Sequence, residues 1–250
     1  GAVIEPERAV DCGRTAADIA REIELSGSAC LNAVVNPDWL DTARRHVAEM
    51  AAGAGHEALL KGSDAEQLPF VAEFLADPRL RELLEAVVRE TAPGADTADR
   101  GIECALRVIN GHDPQERPLW FHYDASVVTM VVPIVIPDAE PGQCGELALC
   151  PNRRPHRSWV LTNIIEKMVV QSDVYRRPFL RRLNWDRDTD MLALTPGNGY
   201  LFWGYRTYHA IMPCAPGSIR ATLVLHYKNV HGDSRFLQRA KIFRRLIQAT

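Results

Sequence analysis

The sequence predicts an α+β domain in which helices support a β-sandwich or barrel. Three observations lead to that class. The first hundred residues carry long amphipathic periods bounded by helix punctuation. After Gly101 the pattern shortens to β-branched and aromatic runs of a few residues, separated by Pro, Gly, Asn and Asp. The chain has 250 residues, 46% hydrophobic and 24% charged, which supplies one sizeable core and argues against wholesale disorder.

In the first hundred residues, "TAADIAREIELSG" opens at Thr15 with a capping residue and stops at Gly27. "PDWLDTARRHVAEMAAGAG" begins at Pro37, places apolar residues at helical spacing and ends in a Gly-rich stop. "DPRLRELLEAVVRETAPG" repeats this grammar, with Asp77 as N-cap, Pro78 in the first turn and Pro93-Gly94 beyond the end. All three are amphipathic and need a surface to cover.

The strand candidates are "IECALRVI", "VVTMVVPIVI", "GELALCP", "MLALTP", "GYLFWG", "HAIMP" and "IRATLVLHYKNV". One segment breaks the series. Residues 151–190 form a basic insertion with some helical periodicity, and residues 231–250, "HGDSRFLQRAKIFRRLIQAT", close the chain with a basic helix. The expected organisation is one domain over 1–250: helical support to residue 100, a β core over 101–230 interrupted at 151–190, and the final helix.

Charge is uneven. Residues 1–100 hold 10 Lys and Arg against 19 Asp and Glu, whereas residues 101–250 hold 19 against 13. The basic half suits an anionic small-molecule ligand. The insertion adds Arg153, Arg154, Arg157, Lys167, Arg176, Arg177, Arg181 and Arg182, in keeping with a lid over a carboxylate, a phosphate or a CoA- or carrier-linked substrate. Without interleaved aromatics and with net charge −3, the chain is not expected to bind nucleic acid. The longest apolar run, Val127 to Pro137, is too short for a membrane span. The first fifteen residues lack the pattern of a signal peptide. Six scattered cysteines without CxxC read as reduced thiols of a cytoplasmic protein, with Cys144 and Cys150 as small apolar residues.

The chemistry concentrates in "WFHYDAS". His122 and Asp124 are two apart, so on a strand they point to the same side and can converge on one ion. A third ligand would complete a 2-His-1-carboxylate set, which leaves open positions on Fe(II). Among the other histidines, His209 opens a predicted strand after the turn in "PGNGYLFWGYRTYHAIMP", and the strand-borne His226 is its main competitor. Arg220 follows His209 by eleven residues and offers a bidentate fork for a carboxylate. Thr222 shares its face. If the strands of His209 and Arg220 are antiparallel neighbours, Arg220 lies beside the ion but not on it.

His122 and Asp124, a distal His209 and Arg220 eleven residues on resemble the Fe(II)/2-oxoglutarate-dependent oxygenases, in spacing most of all their phytanoyl-CoA hydroxylase-like branch. The resemblance covers about residues 101–230. It includes "GELALCPNRRPH", similar to the family's Gly-Glu-Leu strand and following turn, and "TPGNGYLFWGYRTYHAIMP", similar to its "PGD…F…H…P" stretch, with Asn198 replacing the usual acidic residue. It implies a double-stranded β-helix (a jelly roll, cupin-like) and an iron site of His122, Asp124 and His209. It also implies 2-oxoglutarate held by Arg220 with help from Thr222, and use of O2 to hydroxylate a substrate C–H as 2-oxoglutarate leaves as succinate and CO2. Halogenating relatives have Gly or Ala where Asp124 stands, so the carboxylate favours hydroxylation, desaturation or ring closure.

Other readings are bland by comparison. His226 is expected to be a satisfied core histidine or a partner of the ligands. Trp120, Trp203 and Tyr123 are expected in the core, with Trp203 a candidate for the pocket wall. Arg107 either faces the interior, holding substrate or cosubstrate, or makes a rim salt bridge. Thr129 and Asn110 are candidate contacts to the ligands or the cosubstrate. Two other functions use the same residues: a non-catalytic cupin-like binder of a metal or small acid, and a hydroxylase of peptide or protein side chains.

Overall fold

The computed structural model describes residues 14–53, 55–91, 101–111, 119–153 and 173–229. The predicted C-terminal helix over 231–250 lies outside them, as do residues 154–172 of the insertion.

Three predicted helices form where their punctuation placed them. α1 (Ala16–Ser26) starts in a capping box, where the Asp18 N–H donates to the Thr15 hydroxyl at 3.1 Å and the Thr15 N–H donates back to the Asp18 carboxylate. In α2 (Pro37–Gly53) the Asn36 side chain accepts from the Trp39 N–H at 2.7 Å. In α5 (Pro78–Thr91) Asp77 accepts from the Arg79 N–H at 3.0 Å. Two short helices, α3 (Ser63–Glu66) and α4 (Pro69–Ala76), lie between them.

The strands make two antiparallel sheets. The major sheet contains β1 (Ala29–Leu31), β2 (Glu57–Lys61), β3 (Ile102–Asn110), β4 (Ser126–Val135), β7 (Gly199–Trp203) and β9 (Ile219–Asn229), in the order β1-β7-β4-β9-β3-β2. The minor sheet contains β5 (Leu147–Cys150), β6 (Asp190–Leu192) and β8 (Tyr208–Ile211), in the order β6-β5-β8. The fold is a double-stranded β-helix with flanking helices.

Burial splits by strand parity. Val128, Met130 and Val132 of β4 join Leu106, Val108, Leu223 and Leu225 in packing the outer face of the major sheet against Ile19, Ile23, Trp39, Val47, Phe70, Leu80 and Leu84 of the helices. Each such apolar side chain removed from water contributes roughly 1.5–3 kcal/mol. The opposite parity, Val131 of β4 with Tyr200 and Phe202 of β7, meets Leu147 and Leu149 of β5 to form the core between the sheets.

The structure corrects the sequence reading in two places. The first hundred residues are not all helical, because β1 pairs with β7 and β2 with β3 at the two edges of the major sheet. β8 and β9 are not neighbours in one sheet but belong to different sheets, so His209 and Arg220 come from opposite sides of the barrel. The described end of the insertion forms α6 (Asp173–Arg182) and α7 (Trp185–Asp188). Phe179 and Trp185 pack on Phe121 at ring separations of 5.5 and 6.3 Å, and Phe179 meets Tyr208 edge-on at 5.0 Å. This part braces the outer side of the minor sheet.

None of the five described cysteines is in a disulfide, and Cys144 stands opposite Cys214 across an isolated bridge.

Candidate metal centre

His122 and Asp124 sit on an extended segment just before β4, not within a regular strand. The expected alternation still holds. Phe121 and Tyr123 are buried in the aromatic cluster under α6, while His122 and Asp124 point the other way. Two backbone contacts set this register. His122 and His209 exchange N–H···O bonds at 2.9 and 3.0 Å, and the Asp124 N–H donates to the Gly204 carbonyl at 2.9 Å. Gly204 is required there: a Cβ would lie 2.4 Å from the Thr129 hydroxyl and 2.9 Å from the Asp124 Cβ.

Ligand atoms of His122, Asp124 and His209 lie within 4.8 Å of one another. His122 Nε2 is 3.6 Å from Asp124 Oδ1, and His209 Nε2 is 3.5 Å from Asp124 Oδ2. Each imidazole is oriented from behind: His122 Nδ1 bonds the Trp120 carbonyl and His209 Nδ1 the Thr207 carbonyl, both at 3.0 Å. A carbonyl only accepts, so both Nδ1 atoms carry the proton. A proton held at Nδ1 is the arrangement that leaves Nε2 for a metal.

Burial and the nearby His209 push His122 down to about 4, so it is neutral at pH 7. Burial pushes the Asp124 carboxyl up, but His209, His226, His122 and the Thr129 hydroxyl outweigh it and hold it at about 2. The Thr129 O–H donates to Asp124 Oδ2 at 2.6 Å.

Thr129 was a candidate in the sequence, and it ends a relay that sequence reasoning missed. Its single proton goes to Asp124, so in the 2.9 Å contact with Ser126 the Ser126 hydroxyl donates. In the 3.2 Å contact between His226 Nδ1 and Ser126, the imidazole N–H must then donate. His226 thus stands behind the carboxylate, its Nδ1 3.7 Å from Asp124 Oδ2, as a partner of the ligand. The only sequence signal for Ser126 was its position two residues after Asp124.

Arg220 is 1% exposed and pairs with Ile109 of β3. Its Nε donates to the Gly145 carbonyl at 2.8 Å and its Nη1 to the Thr222 hydroxyl at 3.2 Å. It makes no ion pair among the described residues. Glu146 is occupied by the Gly142 and Cys144 N–H groups. Burial lowers Arg220 to about 10, which leaves it cationic at neutral pH. A buried cation without a carboxylate is costly, so the chain presents an anion site. Gly145, at φ +67°, admits it: a Cβ there would lie 2.3 Å from Arg220 Cδ.

The remaining candidates fall elsewhere. Asn110 donates to the Ala51 and Gly55 carbonyls at the end of α2, not to the site. Trp203 is buried on the helix side of the sheet, not in the pocket wall. Tyr123 is buried as expected, but Trp120 is 45% exposed. Arg107 makes the salt bridge, Nε to Glu57 at 2.6 Å, and does so on the inner face, across from Thr222. Asn198 fills its turn by accepting from the Ala33 N–H at 3.0 Å.

No protein-family model and no curated protein matches the sequence. Solved structures do match in fold. A prolyl-4-hydroxylase from Pseudomonas putida aligns with TM-score 0.55 at 13% identity, over 91% of this chain and 99% of that one. SnoN, a non-heme alpha ketoglutarate dependent epimerase from nogalamycin biosynthesis, aligns at 0.58 and 12%, over 86% and 83%. HygX from Streptomyces hygroscopicus, solved with nickel and 2-oxoglutarate bound, aligns at 0.55 and 12%, over 85% and 86%. At these identities the likeness is one of fold. No described helix is long and apolar enough to cross a membrane.

Proposed function

We propose that the protein is a non-haem Fe(II)- and 2-oxoglutarate-dependent dioxygenase that hydroxylates an unactivated C–H bond of a small molecule. One observation carries this reading. Two histidine Nε2 atoms and one carboxylate converge on a point, while the facing sheet supplies a buried guanidinium that lacks a carboxylate partner among the described residues. A cupin-like metal binder has no use for the second feature. The fold neighbours support the reading, since they include a hydroxylase, an alpha ketoglutarate dependent epimerase and a protein solved with 2-oxoglutarate. The spacing from His209 to Arg220 favours the phytanoyl-CoA hydroxylase-like branch.

The donor set fits Fe(II): the two imidazole nitrogens and the carboxylate of His122, His209 and Asp124 would hold it as a 2-His-1-carboxylate set. Iron held there would supply the oxidising chemistry, with 2-oxoglutarate and O2 consumed and succinate and CO2 formed from the 2-oxoglutarate. His122 and His209 hold their Nε2 lone pairs ready. Asp124 provides the charge and occupies the place a halide would take, which favours hydroxylation. Arg220 takes the far carboxylate of 2-oxoglutarate, and Thr222 fixes the plane of its guanidinium.

The test is an anaerobic titration of metal-free protein with Fe(II) and then 2-oxoglutarate, watching for the weak visible charge-transfer band of the chelate. The band should form, vanish in His209→Ala and weaken in Arg220→Ala. Normal metal binding without a band would favour the binding-protein reading.

A further inference from the structure

The two sheets differ in width, and the difference exposes one wall of the barrel beside the candidate site. The core between the sheets is built from β4, β5 and β7 and reaches β9 at Val224. It contains nothing from β3 or β2. On β3, Cys104, Leu106 and Val108 face the helices, while Ala105 and Arg107 face the other way and are only half-buried. On β2, Leu60 packs on the helix side, while Leu59 opposes Arg107 and is 42% exposed. Toward Arg220 the face closes, with Ile109 only 8% exposed, so its open part is Ala105, Arg107 and Leu59.

Register ties the wall to the cosubstrate cation. Arg107 lies directly across from Thr222, whose hydroxyl receives Arg220 Nη1. Directly opposed residues share a face, so Arg107 and Arg220 lie diagonally on the inner face. Arg107 thus stands on the same sheet face as the cosubstrate cation, one pair away from it. Its ion pair to Glu57 runs through Nε. That anchors the guanidinium and leaves the Nη groups for a further acceptor.

We propose that this wall selects the substrate, with Arg107 taking a carboxylate and Leu59 with Ala105 taking the apolar chain attached to it. The proposal rests on the oxygenase reading and narrows its substrate to an amphiphilic carboxylate. It follows from a cation and an exposed leucine standing side by side on the sheet face that β9 carries past Arg220 and Thr222 to His226, whose Nδ1 is 3.7 Å from Asp124. Arg107 is a specificity residue here, apart from the iron and 2-oxoglutarate machinery.

The test uses the full chain, loaded with Fe(II) and saturated with 2-oxoglutarate under anaerobic conditions so that nothing turns over and Arg220 is occupied. Straight-chain carboxylic acids from butanoate to decanoate, and their primary amides, are titrated calorimetrically. At least one acid should bind roughly tenfold tighter than its amide, as expected for hydrogen bonds to a charged group. Arg107→Gln should abolish the preference, Arg107→Lys should restore part of it, and Leu59→Asn should flatten the dependence on chain length. Equal binding of acids and amides, no binding of any acid, or a preference that survives Arg107→Gln would overturn the proposal. So would a loss of 2-oxoglutarate affinity in Arg107→Gln that equals the loss of acid affinity. Failure of the visible chelate band would instead sink the oxygenase reading, and the same acid and amide titration on metal-free protein would still judge Arg107.

Discussion

His122 and His209 hold each other through the main chain, each N–H donating to the other's carbonyl, and their rings stand 4.3 Å apart. A hydrogen-bonded antiparallel pair sends both side chains to the same face, so the backbone sets the two imidazoles before any metal arrives. His122→Ala and His209→Ala should each weaken Fe(II) binding by more than the roughly 10–100-fold that losing an outer partner costs. Asp124→Ala should do the same. The check is calorimetric Fe(II) titration, with circular dichroism showing an intact fold. Normal Fe(II) affinity in Asp124→Ala would remove the carboxylate from the ligand set.

Thr129 provides a finer test, because it touches the carboxylate and not the ion. Thr129→Val keeps the shape and deletes the 2.6 Å bond to Asp124. It should weaken Fe(II) binding about tenfold, and Thr129→Ser should regain most of the loss. Equal behaviour of the Val and Ser variants would show that packing, not the hydroxyl, matters.

Much of this was legible because punctuation is local. Thr15, Pro37 and Asp77 mark helix starts by chemistry that acts within three residues. The strand cores announced themselves through β-branched runs. What was hidden depended on distant partners. "EALLK" is made largely of helix formers, and only pairing with β3 turns it into β2. β1 is three residues long and shows no period. The order of β8 and β9 along the chain suggested neighbours, because offset alone does not say which sheet a strand joins. Trp120 is exposed because it precedes the ligands at the edge of the extended segment. His226 was legible as strand-borne, but its Ser126–Thr129 relay to Asp124 links residues a hundred positions apart.

Acid should destabilise the metal-free protein through His122. Its folded value is about 4 against the ordinary 6.5. Between those values the unfolded chain takes up a proton that the folded chain refuses, so stability falls as pH drops from 6.5 toward 4. Asp124, held at about 2, adds loss in the same direction only below its ordinary 3.8. With the ring edge partly in solvent, the His122 share at pH 5 is about 1 kcal/mol. Thermal unfolding at pH 7.5 and 5.0 should show this loss in the wild type and a smaller one in His122→Gln.

Gly145 offers the sharpest separation of cosubstrate binding from metal binding. Its carbonyl accepts from Arg220 Nε, its φ of +67° disfavours any side chain, and an added Cβ would lie 2.3 Å from Arg220 Cδ and 2.9 Å from Cys214 Sγ. Gly145→Ala must therefore shift the guanidinium or the turn. The metal ligands come from other elements, so Fe(II) affinity should hold while the 2-oxoglutarate requirement rises at least tenfold. Arg220→Ala should raise it further, since loss of one member of a buried charge pair costs roughly 2–5 kcal/mol. Fe(II) and 2-oxoglutarate titrations of the same samples separate the two effects. If Gly145→Ala lowered both affinities together, Arg220 and the histidines would belong to one coupled unit, not to two sites on facing sheets.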